Sequence, residues 1–150
     1  PPLFALVRGT AAFDAHEAAM AGFTPALEAG QPEEAARIFQ AAVSPEAPWQ
    51  DLPERAQARL AGQMTRIAEE QGVTMEDAAG LTQPGRIEAI TCPVLLLEGT
   101  QSPPIIHAVQ AALAARLPQA QRVLLAGAGH MSPLTHPANV AGEIAAFLKL

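Results

Sequence analysis

The chain holds a single cysteine, Cys92, among its 150 residues, so it closes no internal disulfide and shows no sign of an oxidising compartment. Nine Lys and Arg stand against fifteen Asp and Glu, a formal net charge of −6, and nine scattered cations do not supply the patch that binding nucleic-acid phosphates requires. No apolar run approaches the roughly 20 residues of a membrane span, and Pro1-Pro2-Leu3-Phe4 lacks the regions of a signal peptide. These absences point to a cytoplasmic protein that uses neither nucleic acid nor membrane. The sequence also opens without methionine, which allows a natural protein that begins upstream of Pro1. The rest is 49% hydrophobic, enough for the core of one domain-sized body.

The pattern changes near residue 85. Up to about Gly80 the chain is rich in Ala, Glu and Gln, with apolar positions at helical spacing and no convincing strand. A first helix is expected over Asp14 to Gly22, with Pro25 breaking or kinking the segment up to Gly30. Gly30-Gln31-Pro32-Glu33-Glu34 reads as a new helix start, its proline suited to the first turn and its carboxylates to the positive end of the dipole. Pro53 opens another helix, with Leu60, Met64 and Ile67 on its apolar face. From Arg86 the order becomes strand, helix, strand, helix. Val94 to Leu97 is an unbroken apolar run, as in a strand buried on both faces of a parallel sheet, and Val123 to Ala126 is its partner. Between them lies a helix with Ile106, Val109, Leu113 and Leu117. A last helix from Pro137 carries Val140, Ile144, Phe147 and Leu148 as a stripe for packing on the sheet.

Two parallel strands leave both outer edges open and cannot cover their own apolar residues. The expectation is therefore a larger α/β sheet whose other strands lie upstream; the rival arrangement folds the helices back over the pair as a compact α+β domain. His130, just after Gly127-Ala128-Gly129, falls on the loop at the carboxyl end of the second strand. Reacting groups gather at that edge of a parallel sheet.

The ordered set Pro93-Val-Leu-Leu-Leu-Glu-Gly99, Ala114-Ala115-Arg116-Leu117-Pro118, Gly127-Ala128-Gly129-His130-Met131, His136-Pro137 and Phe147-Leu148 resembles the C-terminal section of an α/β-hydrolase. Residues 1–85 are similar to the helical cap that such enzymes insert before their last strands. The resemblance implies a cap over 1–85 and the end of the catalytic domain over 86–150. It implies that His130 is the general base, taking a proton from a nucleophile or activating water, then returning a proton to the leaving group. No cofactor is implied.

The nucleophile has no counterpart. Ser44, Ser102 and Ser132 sit in no Gly-x-Ser-x-Gly context, and Cys92 precedes its strand at the end away from His130. Ser102 occupies the place where many members carry an acidic residue and is expected as a loop or helix-capping serine. Glu98, at the strand end, is expected to be solvated and receives no role. Nucleophile and acid are both expected upstream. His130 and His136 lack a third ligand at useful spacing, so no metal is expected, and His136 reads as the cap of the last helix. His16 and His107 are expected on helix surfaces. Trp49, Phe39 and Met131 are candidates for an apolar substrate pocket beneath the cap, against plain packing as the alternative.

Two readings of different class remain. In the first, the chain is a portion of a cofactor-free hydrolase of small esters or related carbonyl substrates, inactive without its nucleophile. In the second, it is a noncatalytic interaction module that assembles through its strand edge, with a missing half or with itself.

Overall fold

The computed structural model describes residues 2–149. A 3-10 turn, Phe4–Val7, leads into six helices: α1 (Ala11–Met20), α2 (Phe23–Glu28), α3 (Pro32–Val43), α4 (Glu54–Ala61), α5 (Met64–Glu69) and α6 (Gln71–Thr74). After an irregular stretch come β1 (Val94–Gly99), α7 (Pro104–Arg116), β2 (Ala120–Leu125), α8 (Ser132–Thr135) and α9 (Pro137–Leu148). Helices followed by a parallel βαβα unit match the α/β expectation.

Local chemistry sets most boundaries. Thr10 caps α1, its side chain accepting from the Phe13 N–H at 3.3 Å, so the helix starts at Ala11 rather than at Asp14. Pro25 breaks nothing, because it lies in the first turn of α2, where its missing N–H has no helical partner to lose. Pro32 starts α3 as the sequence implies, with Glu33 and Glu34 in the first turn. The helix expected from Pro53 is divided: α4 stops at Ala61 and α5 begins at Met64, with Gly62 and Gln63 between them. Glycine is a poor helix former, and a break there costs little.

β1 and β2 pair in parallel, from Val94 opposite Ala120 to Gly99 opposite Leu125. β2 thus starts three residues before the apolar run, because pairing with β1 extends through Gln121 and Arg122. Among the described residues the sheet has two strands. The stripe of α9 does not become buried: Ile144 and Leu148 stay exposed, and no residue of α9 is buried. A two-stranded sheet is too narrow to cover both faces, which also leaves Leu124 half in solvent and Leu134 75% exposed.

Apolar burial collects in two clusters. One joins Phe4, Val7 and Phe13 to Ile87, Leu96 and the inner face of α7, formed by Ile105, Ile106, Val109 and Leu113. The other lies among the helices and surrounds Phe23 and Met64 with Ala26, Ala35, Ala36 and Ala61. Arg116, at the end of α7, ties the irregular stretch down by binding Glu88 at 2.7 Å and the carbonyl oxygens of Thr82 and Gln83. That contact holds the Glu88 carboxyl down to about 2.

Candidate functional site

β2 ends at Leu125, and Gly127 turns the chain with φ of +74°, a left-handed geometry that favours glycine. The loop after it is fastened to the exit of β1. Gln101 N–H donates to the Ala128 carbonyl at 2.8 Å, Thr100 N–H to the Leu125 carbonyl at 3.0 Å, and Gly127 N–H to Thr100 Oγ1 at 2.9 Å. Gly99 permits this closeness, since a Cβ there would lie 2.1 Å from the Ala128 carbonyl oxygen. Gly129 is equally confined: its Cβ would meet the Glu46 carboxylate, on the loop after α3, at 1.8 Å. Gly99 at the end of β1 and Gly129 on the loop after β2 thus let both strand ends and a helical-region carboxylate converge beside His130.

His130 is open to solvent on one side and borders two hollows. The larger, about 210 Å³, is walled by the helical region and α7 through Phe4, Phe39, Val43, Ile67, Ile105 and Ile106. The smaller, about 130 Å³, runs behind the loop past Glu98, Ser102, Gln110 and Ser132. Loss of water to these walls pushes the His130 pKa below 6.5, with the Glu46 charge pulling the other way. The imidazole is therefore mostly neutral near pH 7 and free to accept a proton.

Of the pocket candidates, Phe39 shares the larger chamber with His130. Trp49 packs against the helical cluster and faces a separate hollow with Arg37 and Pro48, while Met131 is exposed and lines neither cavity. Ser102 caps nothing: Pro103 holds the N-cap position of α7, and the buried serine hydroxyl has no hydrogen-bond partner among the described residues. Gln110 Oε1, in the same hollow, is also without one among them. His136 occupies the N-cap position of α9 through its backbone only, its ring meeting Thr135 Oγ1 at 2.9 Å.

Three polar residues depart from their sequence expectation. Glu98 is 3% exposed rather than solvated, with one oxygen 2.6 Å from His107 Nδ1 and the other bound by Arg122. His107 is accordingly half-buried against β1 instead of free on a helix surface. The side chains of Glu98 and Arg122 lie on one face of paired strands, close enough to neutralise each other. Their spacing of 24 residues hid this in the sequence. His16 is also buried, at 7% exposure, with its ring centroid 4.8 Å from that of Phe4. His16 shares the face of Phe13, three residues earlier, and that face is covered by the Phe4 turn and α7.

Cys92 is exposed ahead of β1, and among the described residues no three His, Cys, Asp or Glu side chains group as metal ligands would. No helix among them is long and apolar enough to cross a membrane. No curated protein and no solved structure matches the chain. A family model described as "Alpha/beta hydrolase family" matches residues 1–143. With that match running through the helices, both strands and the His130 loop, the chain belongs to the α/β-hydrolase family.

Proposed function

We propose that His130 is the general base of a hydrolase acting on small esters or related carbonyl substrates, with residues 1–85 as the cap and 86–150 as the closing part of the catalytic domain. The observation that carries this reading is the placement of a neutral, loop-anchored imidazole at the carboxyl end of a parallel strand, on the wall of an apolar chamber of about 210 Å³ roofed by helices. The Ser44 and Ser102 hydroxyls are enclosed, and no serine sits in a Gly-x-Ser-x-Gly turn: Ser102 lies in the connection from β1 to α7 but is followed by Pro103, so the nucleophile and its oxyanion-binding groups come from sheet residues upstream of Pro1. The bare strand edges and the exposed Leu124, Leu134 and Leu148 support such a completing sheet. The single cysteine fits a cytoplasmic setting.

The test uses the chain joined to its upstream sequence. His130→Ala should lower kcat for short p-nitrophenyl esters by about a thousandfold or more while leaving the melting temperature within a few degrees. Unchanged turnover would remove His130 from the mechanism. The exposed apolar side chains beside β2 also favour a second reading, a noncatalytic module that associates through its strand edge. Sedimentation of this chain alone checks it: a concentration-dependent dimer supports association, and a monomer at all concentrations removes it.

A further inference from the structure

His16 borders two spaces at once. One is the 210 Å³ chamber that reaches His130; the other is an open cleft of about 840 Å³ whose rim carries Arg8, Asp14, Glu17 and Glu76. Met20, Gln71 and Met75 line both as well, so these four side chains form the threshold between a charged vestibule and an apolar interior. Of the polar chamber walls, Glu70 is exposed and engages Arg66 at 3.4 Å, Thr74 Oγ1 donates to the Glu70 carbonyl, and Gln71 is half-buried and in part open to solvent. His16 differs in being buried, with its ring set against Phe4 and with no side-chain hydrogen bond among the described residues. A buried polar group in this condition is satisfied by whatever enters the space beside it.

We infer that His16 is the polar selectivity group of the chamber, giving one hydrogen bond to a substrate whose acyl part is a single aromatic ring, or a branched chain of that bulk, bearing a carbonyl or hydroxyl. The size follows from the volume: an apolar cavity of roughly 150 Å³ holds benzene, and the chamber exceeds that by room for a short substituent. The walls Phe4, Phe39, Ile105 and Ile106 suit the ring, and the imidazole suits the one polar atom it carries. Burial keeps His16 neutral, and neither ring nitrogen presents a full charge that an uncharged ligand would have to offset. The inference rests on the chamber being the substrate pocket of the proposed hydrolase.

The test is binding to this chain, monitored by NMR with two probes of one shape, acetophenone and ethylbenzene. Both should shift Phe39, Ile106 and His130 signals. His16→Leu should weaken acetophenone about tenfold and leave ethylbenzene unchanged, while His16→Gln, which keeps a hydrogen-bonding tip, should restore most of the loss. Equal effects of His16→Leu on both probes, or none on either, would overturn the role of His16 and leave the chamber and the His130 reading standing. Failure of both probes to reach the chamber in the unaltered chain would overturn the inference together with the chamber as an acyl pocket. His130→Ala turnover then decides independently whether the hydrolase reading survives.

Discussion

The two hydrophobic clusters are made of different material. Around Phe23 and Met64 the buried lining is mostly alanine, which lets short helices approach closely, and the buried members of the cluster all fall within residues 23–64. The other cluster uses Ile, Val, Leu and Phe from residues 4–13 and 87–117, and beside it the sheet buries a carboxylate, Glu98, tied to Arg122 and His107. One region thus depends on local helix packing and the other on long-range contacts with a polar component. Phe4, Val7 and Phe13, early in the chain, belong to the second cluster. The helical region is therefore anchored at its beginning to the sheet while keeping a separate interior, and it meets the His130 loop where Glu46 packs against Gly129.

The largest effect that would break this contrast is expected at Phe23, which is fully buried. Phe23→Ala should cost about 4 kcal/mol and strip hydrogen-exchange protection from α2, α3 and α5 before the amides of β1 and β2. Simultaneous loss in both regions would mean that they fold as one unit. Arg122→Leu should act in the opposite region, at about 3 kcal/mol, because it leaves the buried Glu98 with His107 as its remaining partner. Adding Glu98→Gln should recover part of that loss by removing the charge, and thermal unfolding of the single and double variants measures it.

A smaller effect concerns pH and involves both regions. Burial lowers the pKa of His16 and of His130 from 6.5, so the unfolded chain binds more protons than the folded one in the range below it. Stability contributed by the neutral rings is present above about pH 6.5 and is lost as pH falls toward the lowered folded values. His16 adds a slope of at most about 1.4 kcal/mol per pH unit, and the solvent-facing His130 adds less. Urea titrations from about pH 7.5 to 5 should show a shallower slope in His16→Gln. The smallest change is expected from Arg66→Ala, which removes an exposed pair with Glu70 at 3.4 Å and should cost less than about 0.5 kcal/mol. A larger loss would give the α5–α6 edge of the chamber a structural part it otherwise lacks.

Much of the architecture was legible. Pro32 with Glu33 and Glu34 marked a helix start, the apolar run Val94 to Leu97 marked a buried parallel strand, and two glycines before His130 marked a loop at a strand end. These signals are local, and each arises from backbone freedom or side-chain periodicity within a few residues. Boundaries that depended on neighbours were misplaced, as with β2, which begins at Ala120 because β1 offers hydrogen bonds there. In the site, the sequence left Phe39 between pocket lining and plain packing, and it borders the chamber while packing on the helical cluster, whereas His16 read as a surface histidine and Glu98 as a solvated one. Their burial comes from elements distant in sequence.

Local residue patterns were enough for the helix-then-βαβα order, for the loop position of His130 and for the resemblance that the family match supports. Which polar groups leave water was settled in three dimensions: Glu98 between His107 and Arg122, Ser102 and Gln110 in the hollow behind the His130 loop, and His16 at the threshold of the chamber. Periodicity reports which side of an element is apolar, but a polar side chain is buried by the particular neighbours that arrive over it, and these are set by long-range packing rather than by the residues beside it in the chain.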